Sequence, residues 1–250
     1  MIKIFTTFNL IPFIVSTCFA INCVTPEKEK LKLCSTADWP PYEFTDPATK
    51  KVVGSSVNII KKIADKLNLD LETSSLPWER CLQMNQQGEI DGIFSVSKTP
   101  DREQYLIYPQ NNIQNVSYVF ATIRGSNIAW DESKNVSAIP QPIGAPQGYS
   151  VTKTLKEMKN IKVDDSAQSD EINLNKLLLG RVGSIILGPQ ALDLLLKEKK
   201  VSDKIQQLNP PFVDSKKYYI AISKKYKNDE NKANELVQRI DAAIKDEPCP

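Results

Sequence analysis

Histidine is missing altogether from this 250-residue chain. Its absence removes Ser-His-Asp and Cys-His catalysis, haem ligation and most zinc sites. No C-x-x-C pair occurs, which argues against zinc binding and thioredoxin-like redox chemistry. Glycine-rich phosphate loops of the G-x-G-x-x-G and P-loop kinds are missing too, so no nucleotide cofactor is expected, nor any other cofactor or metal. No charge of one sign dominates: 32 Lys+Arg face 30 Asp+Glu, a net charge of +2, and nucleic acid is not an expected partner. After the first twenty residues no stretch is apolar enough to span a membrane. What is present, 41% hydrophobic and 25% charged residues, suits a globular chain with a real core.

The first twenty residues stand apart. Lys3 is the only charge, and an apolar run follows from Ile4 to Ala20. We read residues 1–20 as a secretory signal peptide, with Cys18-Phe19-Ala20 as the small-x-small cleavage site. An uncleaved anchor and a lipoprotein acylated at Cys18 are the alternatives. Pro12 and Asn9 interrupt the run, and Thr17 suits lipidation poorly. Cleavage leaves Cys23, Cys34, Cys81 and Cys249, an even number in an exported chain, which suggests disulfides. Cys34 and Cys81 fall near strand ends of the first half, and Cys23 and Cys249 near the two chain ends. We therefore favour 34–81 and 23–249, against buried free thiols.

From residue 31 onward strands and helices alternate. Strands are expected at Leu31–Thr36, Asp70–Ser75 and Glu89–Ser97. Between them lie helices at Ser55–Leu67, where Ile59, Ile63 and Leu67 recur every four residues, and at Pro77–Gln87. The second half repeats the style. A strand at Ile143–Ala145 runs into a helix opening at Tyr149-Ser150, and a helix from Asp170 ends before Gly180. A strand at Val182–Leu187 and a helix at Pro189–Lys197 follow. Val116–Ile123 and Tyr218–Ser223 are strand-like. The last helix carries Ala233, Leu236, Val237, Ile240 and Ile244 on one face. The pattern predicts two α/β lobes joined by extended crossings near 114–118 and 217–220, with the last helix returning to the first lobe.

Open α/β sheets bind ligands beyond the carboxyl ends of their strands. After the first strand comes Asp38-Trp39-Pro40-Pro41-Tyr42-Glu43-Phe44, where two prolines stiffen a loop and Trp39 and Tyr42 offer rings to a ligand. The plainer reading is a turn whose aromatics cap the core. Trp78 and Arg80 sit in the first turn of the next helix, Trp78 on the expected cleft wall. In Gly92-Ile93-Phe94-Ser95-Val96-Ser97 the pleat puts Ser95 and Ser97 on one face, and Arg102 follows in the turn. Two hydroxyls and a guanidinium fork suit a carboxylate. Gly148 permits close backbone approach just before Tyr149-Ser150, where a helix start offers free N–H groups.

These stretches resemble the bacterial family 3 solute-binding proteins, periplasmic receptors for polar amino acids. The resemblance rests on DWPPYEF (38–44), LPWERCL (76–82), GEIDGIFSVSKTPDRE (88–103), IGAPQGYS (143–150), LLLGRVGSIIL (178–187) and YYIAISKK (218–225). It implies the two-lobed periplasmic-binding-protein fold (type II), an α/β fold with two hinge crossings between lobes. Lobe 1 would be 21–114 and 218–250, and lobe 2 would be 115–217. It also implies Trp39 stacking on the ligand, Ser95 and Ser97 on its polar groups, Arg102 on its carboxylate, and Tyr149 and Ser150 closing over it, with Trp78 in the cleft. The partner would be the membrane permease of an ABC transporter, the receptor a monomer.

One departure stands out. Such receptors place an aspartate after the LLLGRV strand to hold the ligand ammonium, and Gly188 stands there. Gly183 likewise stands where a GR-x-D aspartate would be. Either Glu43, Asp38 or Asp170 substitutes, or the ligand is not a standard α-amino acid. Two other roles compete: a ligand sensor docking on a chemoreceptor or kinase, and an enzyme using Glu43 or Asp38 as acid or base. Asn115-Val-Ser and Asn135-Val-Ser match the glycosylation pattern, which the resemblance to bacterial proteins implies is incidental.

Overall fold

The structure is a computed structural model and describes residues 27–36 and 38–245. The expected signal peptide and the 23–249 pairing therefore lie outside the described residues. In chain order the strands and helices are β1 (Glu29–Thr36), β2 (Asp38–Trp39), β3 (Glu43–Thr45), β4 (Val52–Val53), α1 (Ser55–Lys66), β5 (Leu69–Leu76), α2 (Trp78–Gln87), β6 (Gly92–Ser97), β7 (Leu106–Ile107) and β8 (Gln114–Ile123). Then come β9 (Ile143–Pro146), α3 (Ser150–Glu157), β10 (Val163–Ala167), α4 (Asp170–Leu178), β11 (Ser184–Leu187), α5 (Pro189–Lys199), β12 (Ile205–Gln207), β13 (Val213–Ser223) and α6 (Glu230–Lys245).

Two parallel β-α-β windings lie at the ends of one sheet, ordered β10-β9-β11-β8-β13-β6-β1-β5. In the first, β1 pairs with β5 in parallel from Glu29↔Leu69 to Thr36↔Leu76, and with β6 at Leu33↔Gly92. In the second, β9 lies between β10 and β11, again in parallel. β8 and β13 are long and antiparallel to their neighbours, and they pair with each other at Val213↔Tyr118 and Tyr218↔Gln114. The expected crossings, 114–118 and 217–220, thus lie inside this pair. The carboxyl ends of strands from both windings meet at one seam, where Thr36, Ser97 and Tyr149 line the same cavity.

Local signals place the elements. α1 buries Val57, Ile60, Ile63 and Ala64, one stripe at helical spacing. Pro77 caps α2 instead of occupying its first turn, and Gly88 ends it in the left-handed region with φ 82°. The sixth strand starts at Gly92, later than expected, because Asp91 turns back to β1: its N–H donates to the Lys32 carbonyl and its carboxylate accepts the Lys32 N–H at 2.7 Å. α6 lays Ala233, Leu236, Val237, Ile240 and Ile244 on α1 and the first winding. Each fully buried large aliphatic there contributes about 1.5–3 kcal/mol. A disulfide joins Cys34 on β1 to Cys81 on α2, with Cα atoms 5.9 Å apart. The hairpin-like sheet β2-β3-β4, and strands β7, β10 and β12, were not expected. They are two to five residues long, below what periodicity resolves.

Candidate ligand-binding cleft

Seven of the eight residues singled out as ligand contacts line one internal cavity: Trp39, Trp78, Ser95, Ser97, Arg102, Tyr149 and Ser150. Thr36, the last residue of β1, and Tyr218 of β13 complete the wall. Tyr42 does not line it. Its ring packs behind Trp39 at 4.7 Å between centroids, and its hydroxyl donates to Gln190 Oε1 at 3.2 Å, across the seam. Thr36 and Tyr218 lie within strands and carry no charge, so the loops that follow the strands do not point to them. A hydroxyl closing β1 and a tyrosine opening YYIAISKK were the available signals.

The cleft is shut. Free space inside is about 20 Å³, room for on the order of one water. Trp39 meets Tyr218 at 4.9 Å and Tyr149 at 6.0 Å, and Trp78 meets Tyr149 at 6.1 Å. Polar bonds close the seam as well. The Gly148 carbonyl accepts from Arg102 Nη2 at 3.0 Å and from Trp78 Nε1 at 3.1 Å, while Ser97 Oγ donates to Ser150 Oγ at 2.8 Å. Gly148 has φ 73°, and a Cβ there would run into Glu79 and Trp78, so only glycine brings this carbonyl so close. At the rim Lys153 pairs with Asp101 at 3.0 Å. Outside Arg102, Tyr149 and Ser150 a wider groove of about 420 Å³ leads to solvent.

Arg102 is the cation of the site. It is 4% exposed, held in a short 3₁₀ turn. Nη1 donates to the Ser97 carbonyl at 3.0 Å and Oγ at 2.8 Å, and the guanidinium lies 5.2 Å from the Trp78 ring centroid. All these acceptors are neutral, and among the described residues no carboxylate pairs with it. A buried cation satisfied only by neutral dipoles favours an incoming anion.

Ser95 and Ser97 both face the cavity, but not by a regular pleat. Ser95 has φ 54°, and opposite it the β13 register shifts between Tyr219 and Ala221. Its hydroxyl donates to the Glu43 carboxyl, as does that of Ser35. Glu43 is fully buried, and burial pushes its pKa up to about 8 against the lowering effect of these hydroxyls. It stands behind Ser95, outside the cavity wall. Asp38 and Asp170 do not line the cavity either.

The two glycines at expected aspartate positions differ. At Gly183 a Cβ would come within 2.9 Å of the Pro140 and Gln141 backbone, so no side chain fits. Gly188, the residue before α5, has an ordinary φ of −68°, and its nearest neighbour to a Cβ would be Val116 Cγ1 at 3.4 Å. We expect Gly183→Ala to lose about 1–3 kcal/mol in urea unfolding through overpacking, and Gly188→Ala to leave stability within ~0.5 kcal/mol. Equal losses would contradict this packing. Among the described residues no group of acids and cysteines could hold a metal ion, and no helix is long and apolar enough to cross a membrane.

Comparison with known proteins agrees with this architecture. The profile of the bacterial extracellular solute-binding proteins, family 3, matches residues 31–247. No curated protein matches the chain. Among solved structures, holo ArgBP from T. maritima superposes with TM-score 0.71 at 18% identity, over 86% of this chain and 89% of that one. A periplasmic binding protein of Salmonella typhimurium, described for its high arginine specificity, gives TM-score 0.69 at 16% identity, over 87% and 92%. A histidine kinase sensor domain with similarity to periplasmic binding proteins gives 0.74 at 15%, over 87% and 90%. At such identities the likeness shows the fold, which is the two-lobed one of periplasmic binding proteins. With the profile spanning nearly all of the described residues, the chain belongs to the bacterial extracellular solute-binding proteins of family 3.

Proposed function

We propose that this protein is a periplasmic receptor that clamps a small, polar, carboxylate-bearing ligand, an amino acid or relative, and delivers it unchanged to an ABC permease. The observation that carries the reading is Arg102, a buried guanidinium at the seam of two lobes with no counter-anion among the described residues. Opening the cleft breaks its bond to the Gly148 carbonyl, and a ligand carboxylate then takes the fork with two charge-assisted bonds. Trp39 and Trp78 supply flat apolar walls, Ser97 and Ser150 the remaining polar contacts, and Tyr149 closes over the ligand. The lobes divide as 21–114 with 218–250, and 115–217. They turn about β8 and β13, whose mutual pairing gives a flexible two-strand joint. A signal peptide at 1–20 places the mature monomer in the periplasm.

The test is a thermal-shift screen of amino acids, short peptides and organic acids, followed by calorimetry on each hit. A ligand that binds only the folded form raises the melting temperature. Arg102→Ala should weaken a carboxylate hit roughly 100-fold, about 2.7 kcal/mol, in line with a charge-assisted bidentate contact. Unchanged affinity in that variant would sink the clamp. Recovery of a chemically altered ligand by mass spectrometry would replace the receptor by an enzyme.

A sensory role is the second reading, favoured by the likeness to a histidine kinase sensor domain. Loss of ligand uptake on deleting the gene supports transport, whereas intact uptake with loss of a ligand response supports sensing.

A further inference from the structure

Two tyrosines meet on the pair of strands that crosses between the lobes. Tyr118 of β8 and Tyr218 of β13 join their hydroxyls in one hydrogen bond. Backbone pairing does not set them side by side: Tyr118 stands opposite Val213 and Tyr218 opposite Gln114, and the two side chains span the offset. Tyr118 is 1% exposed and Tyr218 5%. Burial pushes both phenols above their ordinary range, so each keeps its proton at neutral pH.

Two protons thus serve a bond that uses one, and the donor's identity decides where the other points. Tyr118 belongs to the cluster of Val116, Phe120, Val151 and Ile186 and does not line the cavity. Tyr149 and Asp170 lie within electrostatic reach of it, yet among the described residues neither bonds its hydroxyl. Were Tyr218 the donor, the Tyr118 proton would be buried without an acceptor, at the full desolvation cost of that group. With Tyr118 as donor, the second proton is that of Tyr218, on the cavity wall with Trp39, Ser97 and Arg102. A ligand atom or a water takes it there. Only this arrangement leaves no proton stranded in the apolar cluster.

We propose that Tyr118 donates to Tyr218 and thereby aims the Tyr218 O–H into the cavity, where it donates to an acceptor atom of the ligand. Tyr218 is then a ligand-binding residue, and Tyr118, which touches no ligand, positions it. The pair ties the two crossing strands to each other, so this donor is held by the joint about which the lobes turn. The inference rests on the receptor reading above and adds a requirement on the ligand: an oxygen or nitrogen lone pair at the wall formed by β13, within the same cavity as the Arg102 fork.

The experiment titrates the mature protein by calorimetry with the twenty L-amino acids, lactate, succinate and citrate. The tightest binder of that set is then carried into Tyr118→Phe, Tyr218→Phe and the double variant. Tyr218→Phe should weaken it roughly 10-fold, one neutral hydrogen bond lost with an acceptor left unpaired. Tyr118→Phe should weaken it about 3- to 5-fold, since the donor remains but is no longer aimed. The double variant should bind as Tyr218→Phe does, because Tyr118 acts only through Tyr218. Losses that multiply in the double variant, or wild-type affinity in Tyr218→Phe, overturn the inference and leave the carboxylate receptor standing. No binding by any probe overturns both. Thermal melts without a probe test the donor direction separately. Tyr218→Phe strands the Tyr118 proton and should melt lowest of the three variants, with the double variant, which removes that proton, above it. Tyr118→Phe melting lowest would mean that Tyr218 donates to Tyr118, and the proposal falls.

Discussion

Replacing Cys34 and Cys81 together by alanine is expected to lower stability by about 4 kcal/mol, the chain-entropy value for a loop of this length. The bond spans a sequence separation of 47 and ties β1, the middle strand of the first winding, to α2. Without it the unfolded chain regains the freedom of that loop. Both cysteines are fully buried, packed with Trp78, Ile90, Ile93 and Val96, so the variant also leaves small unfilled volumes. At ~2–4 °C per kcal/mol for a chain of this size, the melting temperature should fall by roughly 8–16 °C. The effect reaches the cleft, since Cys81 is one helical turn from Trp78, which bonds Gly148 and stacks on Arg102. Ligand affinity should therefore fall along with stability. Thermal melts of the double variant beside wild type give the first number, calorimetry the second. Complete alkylation of both thiols in native, unreduced protein would show that the bond does not form.

Much of this site can be read from the sequence because chemistry follows strand ends. Once β1, β5, β6 and β9 are recognised, Trp39, Trp78, Ser97, Arg102 and Tyr149 lie at or just after their ends, and each parallel winding sends its own strand ends to one edge. What the sequence leaves open is which of two neighbours turns inward. Trp39 and Tyr42 look equivalent around Pro40-Pro41, yet the turn points Trp39 into the cavity and sets Tyr42 behind it. Tyr218 belongs to the site only because β13 pairs with β6 at Tyr218↔Ser97, a contact between residues far apart in the chain. Glu43 shows the same gap. Its position in an aromatic loop suggests a ligand contact or an acid catalyst, but the serines that surround it come from β1 and β6.

That enclosure of Glu43 makes stability rise on acidification, the reverse of the usual behaviour of ion-paired carboxylates. The carboxyl has a pKa of about 8 in the fold against an ordinary 4.5, because burial disfavours its charge more than the Ser35 and Ser95 hydroxyls favour it. Between pH 4.5 and 8 the folded protein thus holds a proton that the unfolded chain has released. Stability falls with rising pH across that window, by up to ~1.4 kcal/mol per unit for one group, and the contribution is complete only below the lower bound. Asp170 acts in the same direction between its ordinary 3.8 and about 7. Glu29 and Asp164, both held down at about 2 by lysine partners, act oppositely, but only as pH falls below the ordinary carboxylate range. Urea unfolding of the unliganded protein at pH 5, 6, 7 and 8 should therefore show a steady decline. Glu43→Gln keeps an acceptor for one serine and a donor for the other while never charging. It should flatten the decline by about one proton and be the more stable protein at pH 8, by roughly 1–3 kcal/mol after allowance for water entering the wild-type site. Parallel curves for variant and wild type would show that Glu43 stays ionised in the fold. The consequence for binding follows from Ser95, whose hydroxyl serves Glu43 in the shut cleft. A ligand that recruits it must draw it from a neutral acid, which is a weaker competitor than a carboxylate. Glu43→Gln should accordingly leave ligand affinity at pH 7 within about threefold of wild type.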